Sequence, residues 1–163
     1  MNTETHQWST AKDLPEPQLN ASMTVCGSYV YMLGGLCSDD SLYTKSVYSI
    51  QLSALLELNS SDEDWKRIAN LPYQSATAVS ICDRLLAIGG RERNDINSSC
   101  IKAIQMYNPT TNSWEEISHM LVGRSRCFAV ALPDNRLLVV GGWTGRGGDV
   151  DNQTDRVEIG TLL

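Results

Sequence analysis

Apolar and polar positions alternate along this chain in short runs of strand length. Three of the runs end alike, in a glycine pair: YVYMLGG at Tyr29–Gly35, RLLAIGG at Arg84–Gly90 and RLLVVGG at Arg136–Gly142. The pairs are Gly34-Gly35, Gly89-Gly90 and Gly141-Gly142, spaced by 55 and 52 residues. A repeat of roughly 50 residues made of strand-like segments predicts the blades of a β-propeller, each one a four-stranded sheet.

The second repeat is the clearest. Ser75–Ile81 predicts a first strand, Cys82-Asp83-Arg84 a tight turn, and Leu85–Gly90 an inner strand apolar on both faces. A polar loop runs from Arg91 to Cys100, and Ala103–Tyr107 alternates like a half-buried strand. NPTTNS, Asn108–Ser113, predicts a turn, because Pro109 presets φ and Asn112 tolerates the left-handed region. Trp114–Ser118 returns as the outermost strand, its indole covering the seam to the next blade. Glycine is expected at the end of the inner strand, where a Cβ would meet neighbouring blades and φ must turn positive.

The first repeat carries an insert of about ten residues before Trp65, SALLELNSSDED, which predicts a helical turn or a longer hairpin. The third repeat has FAVAL, a Pro133-Asp134-Asn135 turn, RLLVVGG, the loop WTGRGGDVDNQT and the strand DRVEIGTLL, with no fourth strand after it. At the other end, QWSTAKDLPEP matches the fourth-strand segment WKRIANLP: tryptophan, five residues, Leu-Pro. Residues 1–163 thus read as one all-β propeller segment of about three blades. The boundaries are 1–20 for an orphan fourth strand, 21–72 for blade one, 73–121 for blade two and 122–163 for an incomplete blade three.

YNPTTNSW (Tyr107–Trp114), preceded by LLAIGG, resembles the kelch repeat, and the resemblance covers nearly the whole chain. It implies a propeller of five to seven blades used mostly as a protein-recognition module, as in kelch-like substrate adaptors of cullin ubiquitin ligases and in actin-associated kelch proteins. Galactose-oxidase-type kelch proteins are copper enzymes, and that is the competing class.

Composition narrows the choice. The net charge is −6, without a dense block of Lys or Arg, which argues against nucleic acid and anionic membrane as partners. No apolar run approaches the ~20 residues of a membrane span, and the N-terminus lacks the apolar core of a signal peptide. A cytoplasmic protein with reduced thiols is expected, since Cys26, Cys37, Cys82, Cys100 and Cys127 show neither disulfide nor zinc spacing. The N-x-[ST] triplets at Asn20, Asn59, Asn97 and Asn152 then count as chance matches.

No catalytic residue, cofactor or metal is expected. His6 and His119 are too few for copper, and Asp149, Asp151 and Asp155 lack the glycine and bidentate glutamate of a calcium loop. GRGG at Gly145–Gly148 reads as loop flexibility. Recognition is expected at one rim, in the loops after the glycine pairs and in the links between blades. The candidates are Tyr43, Tyr73, Arg91, Arg93, Arg124, Trp143 and Arg146, of the types enriched at interface hot spots. Arg124 and its neighbour Arg126 are alternatively bridges between blades, and Trp143 an anchor or a plug in the central channel.

Three blades cannot close a ring, so the first and last should each expose an apolar face. The chain is then a piece of a longer protein, a half-propeller that self-associates, or a module completed by another partner. A homodimer closing six blades would let each Trp8-led strand complete the other copy's last blade.

Overall fold

The computed structural model describes residues 8–37, 43–56, 64–93, 98–145 and 153–162. It is built of three antiparallel sheets and one short helix. Blade one holds β2 (Ser22–Cys26), β3 (Tyr29–Cys37), β4 (Tyr43–Gln51) and β5 (Lys66–Ile68). The two-residue β1 (Gln18–Leu19) joins the far end of β3, and α1 (Leu52–Leu56) follows β4. Blade two is β6 (Thr77–Ile81), β7 (Arg84–Ile88), β8 (Ala103–Asn108) and β9 (Ser113–His119), side by side in that order. Blade three has β10 (Phe128–Leu132), β11 (Arg136–Val140) and β12 (Val157–Thr161), with β12 at its outer edge.

The glycine-pair strand is not the innermost one. It stands second, and the innermost strands are β2, β6 and β10. These approach one another around the axis: the Ala78 amide donates to Ser22 Oγ at 2.8 Å, and Thr77 Oγ1 donates to the Cys127 carbonyl at 2.7 Å. Leu85–Ile88 of β7 are apolar and buried because strands flank β7 on both sides and blades cover both its faces.

All six paired glycines hold positive φ. Gly89 could not be otherwise, since a Cβ there would stand 2.1 Å from the Arg124 carbonyl oxygen; at Gly141 it would meet nothing nearer than 3.5 Å. The tight turns need no glycine. Cys82-Asp83 takes left-handed φ at both residues, which matches the strand twist of a two-residue hairpin, and Asp134 and Asn135 are left-handed in the three-residue turn that begins at Pro133. Asn112 is also left-handed, at φ 48°, as its turn predicts.

The two seams are built differently. Between blades one and two, Trp114 Nε1 donates to the Ala69 carbonyl at 3.0 Å and the Ala69 amide donates to Asn112 Oδ1 at 2.9 Å. The rings of Tyr107 and Trp114 pack 5.3 Å apart beside Leu33, Val47 and Leu71. Between blades two and three, Val79, Leu86, Ile88 and Ile104 meet Leu137 and Val139. There Arg124, 0% exposed, donates through Nη1 to the Gly141 and Arg156 carbonyls, both at 3.0 Å, and pairs with Glu158. The Glu158 carboxylate also accepts from the Leu121 and Val122 amides.

The outward faces of the end blades differ too. On blade one, Val30, Met32, Tyr48, Ile50 and Trp65 are buried beneath Leu14, Ala21 and the α1 residues Leu52 and Leu55. The insert thus does begin as a helical turn, and it serves as a cover. It is eight residues longer than the turn in blade two, rather than ten, because Ser49 pairs with Lys66 where Met106 pairs with Glu115. The cover stops at β2, where Met23 and Val25 are half exposed. The expected open apolar face is therefore found on blade one only along that strand.

Blade three is bare. Rows Phe128–Val140–Val157 and Val130–Leu138–Ile159 lie across its outward face, and Phe128 is 76% exposed.

The expected orphan strand is not a strand over residues 8–17, and Trp8 is 83% exposed. Glu16 ties this segment to blade one, accepting from Tyr48 Oη and from Cys37 Sγ. The Tyr48 hydrogen bond, with a lesser one from Cys37, holds its carboxyl below the usual glutamate range. That contact therefore persists above the ordinary glutamate pKa and is lost as pH falls through the lowered one.

Candidate rim site

One backbone arrangement recurs at the end of each glycine pair. The next residue bridges an inner link residue on one side and an outer residue on the other. The triplets are Leu19–Leu36–Tyr43, Gln74–Arg91–Cys100 and Ser125–Trp143–Gln153. In blades two and three the inner bridge is a reciprocal pair of hydrogen bonds, Gln74 with Arg91 at 2.8 Å and Ser125 with Trp143 at 2.9 Å. The glycines permit this because a Cβ at Gly90 or Gly142 would collide with the link carbonyl that closes each pair. Leu36, Arg91 and Trp143 therefore occupy equivalent places on one rim.

A second position recurs in the links. Asn20, Ser75 and Arg126 each stand one residue past the inner bridge and hold left-handed φ of 54°, 56° and 52°. Such φ is strained for arginine. It carries the Arg126 guanidinium over the Tyr43 ring, 4.5 Å from the centroid, a cation–π contact joining blade three to blade one across the channel mouth. Trp143, half buried, lines a hollow of about 210 Å³ with Arg126, Gly142, Gln153 and Thr154.

The expected residues divide accordingly. Tyr43 and Trp143 are at the rim and half buried, with Arg126 over the Tyr43 ring and lining one hollow with Trp143. Arg91 is there as well, but its guanidinium donates to the Ser98 carbonyl at 2.9 Å and braces its own loop. Arg93 is exposed beside it, with its amide on Ser98 Oγ. Tyr73 is half buried, with its Cβ against Gly90. Arg124 does not belong to a contact surface. Its side chain is sealed in the seam with backbone carbonyls and Glu158 as partners, so it is a bridge between blades. Arg146 lies outside the described residues, as do His6, Asp149 and Asp151.

Leu36 escapes a search for hot-spot types because leucine is not one. Reading one residue past every glycine pair would have found it. His119 is exposed at the end of β9. Among the described residues no group of three or more His, Cys, Asp or Glu side chains could hold a metal ion. No helix among them is long and apolar enough to cross a membrane.

The comparisons with known proteins agree with this geometry. Residues 72–121, which span blade two, match the Kelch motif family. Human Kelch-like protein 33 is 29% identical over 149 residues, 88% of this chain and 25% of that protein. Rat Kelch-like protein 36 is 26% identical over 72% of the chain and 18% of its own length, and zebrafish Kelch-like protein 26 is 24% identical over 94% and 24%. The chain thus spans about a quarter or less of these relatives. Among solved structures, that of YjhT superposes with a TM-score of 0.68 at 19% identity, over 98% of this chain and 50% of that one. With three glycine-pair sheets and a kelch motif on the middle one, the chain is a partial β-propeller of kelch-type blades, similar to Kelch-like proteins over most of its length.

Proposed function

We propose that the chain is a non-catalytic protein-recognition module whose contact surface is the glycine-pair rim. The observation that carries this reading is the equivalence of Leu36, Arg91 and Trp143. Their backbone support is the same in all three blades, while the side chains offered are an aliphatic, a cation and an indole. A constant scaffold with unlike tips is what recognition by loops requires. Arg126 adds a cation held in strained geometry beside Tyr43. The similarity to Kelch-like proteins supports a protein partner.

The test is site-specific photo-crosslinking in cells, with the crosslinker at position 143 and, as a control, at Ile117 on the outer strand β9. A discrete adduct is expected from 143 and none from 117. Trp143→Ala and Arg126→Ala should then weaken binding of the captured protein by tenfold or more, about 1.4 kcal/mol, with unchanged melting. Equal crosslinking from both positions would move recognition to the outer surface.

A further inference from the structure

The axis of the fold is walled by the same four positions of each blade. Residues 20–23, 75–78 and 126–129, where the links enter β2, β6 and β10, line a hollow of about 470 Å³. Twelve residues make that wall, and only Arg126 among them is charged. No carboxylate stands in it, although the chain as a whole carries a net charge of −6.

Arg126 is presented rather than packed. Its backbone is left-handed, at the position where the other two blades place Asn20 and Ser75. Its guanidinium carbon lies 4.5 Å from the centroid of the Tyr43 ring. Neighbouring arginines are spent on the protein itself. Arg91 donates to the Ser98 carbonyl, Arg124 to two carbonyls and Glu158, and Arg136 lies 3.8 Å from Asp134. Among the described residues, the Arg126 guanidinium makes no hydrogen bond and no ion pair beyond its stack on Tyr43.

A stacked guanidinium keeps its N–H edge free, and that planar fork fits the two oxygens of a carboxylate. A single cation with no acid beside it matches a singly charged anion. The same hollow also offers donors. Ser22 Oγ accepts from the Ala78 amide, which leaves its own proton unused, and the Asn20 and Ser75 side chains hold no partner among the described residues.

We infer that the axial mouth binds a carboxylate, with Arg126 as the fork, Tyr43 as the platform under it, and Asn20, Ser22 and Ser75 as further donors. The carboxylate belongs either to an aspartate or glutamate of a bound protein or to a free small acid, and both present the same two oxygens. In the first form the inference rests on the rim recognition proposed above.

Titration of the full chain, labelled with nitrogen-15 in arginine, tests the site through the Nε–Hε resonances. The probes, at constant ionic strength, are N-acetylglutamate α-amide, its neutral glutamine counterpart, and butyrate. The Arg126 resonance should move and saturate with the glutamate derivative, at concentrations about tenfold below any change caused by the glutamine derivative. An equal response to butyrate assigns the site to free acids, and a response to the glutamate derivative alone assigns it to a partner's side chain. Arg126→Lys keeps the charge but loses the fork, and should weaken binding about tenfold. Tyr43→Leu keeps Arg126 but removes the platform, and should weaken it by less. An Arg126 resonance that stays still overturns the inference. So does one that moves only in step with the exposed Arg93, or an Arg126→Lys chain that binds equally well. Crosslinking from position 143 decides the rim reading separately: an adduct there with no carboxylate response sinks this inference alone.

Discussion

Blade one and blade three stand at the two ends of the same half-ring, yet one outward face is covered and the other is not. Blade one keeps Met32 at 1% exposure beneath α1 and Leu14, while blade three leaves Phe128 at 76%. The strands beneath are equivalent in kind. The difference comes from what packs on them: α1 and Leu14 cover the first, while Phe128, Val130, Val157 and Ile159 of the second stay exposed. A blade face is therefore not exposed or buried by virtue of its strands. Its fate is set by whichever segment crosses it.

Five substitutions test this contrast, taken from the largest expected effect. Arg124→Ala removes the cation that ties blade three to blade two and leaves the Glu158 carboxylate without it, so a loss of about 3–5 kcal/mol is expected in denaturant unfolding. If the loss is under about 1 kcal/mol, the seam rests on its apolar residues alone. On the covered face, Met32→Ala should cost about 2–5 kcal/mol, the range for opening a cavity in a packed core. A cost near zero would mean that α1 and Leu14 do not seal that face in solution.

The tryptophans give a finer comparison. Trp114→Phe loses the hydrogen bond to Ala69, whereas Trp65→Phe removes a buried N–H that has no partner. Trp114→Phe should therefore cost more, by about 1 kcal/mol, in parallel thermal melts. Equal costs would show that Trp65 finds an acceptor in solution. The smallest effect is expected on the bare face: Phe128→Ala should stay within about 0.5 kcal/mol at concentrations where the chain is monomeric. A larger loss would show that something already covers blade three.

Much of this fold can be read from the residues. The glycine pairs mark blade period and strand ends because positive φ and close approach of the link carbonyl leave no other choice. The turn NPTTNS and the Trp114 strand were legible for the same local reason. The register of blade one was not. Tyr48 looks like the counterpart of Tyr107, yet pairing places Ile50 there, one residue past Ser49 as Tyr107 is one past Met106. An apolar alternation fixes which face a residue takes but leaves a two-residue slip open.

Nor could composition separate Arg124 from Arg126. They lie two apart in one link, and one is sealed in a seam while the other stands over Tyr43 at the rim. The local pattern contains what adjacent atoms require: strand period, left-handed turns, and glycine where a Cβ has no room. Which arginine is buried, which apolar face is covered, and that Leu36 shares a rim with Arg91 and Trp143, depend on contacts between residues tens of positions apart. Only the packing of the three blades about one axis decided those, because burial belongs to the neighbours a residue acquires and not to the residue itself.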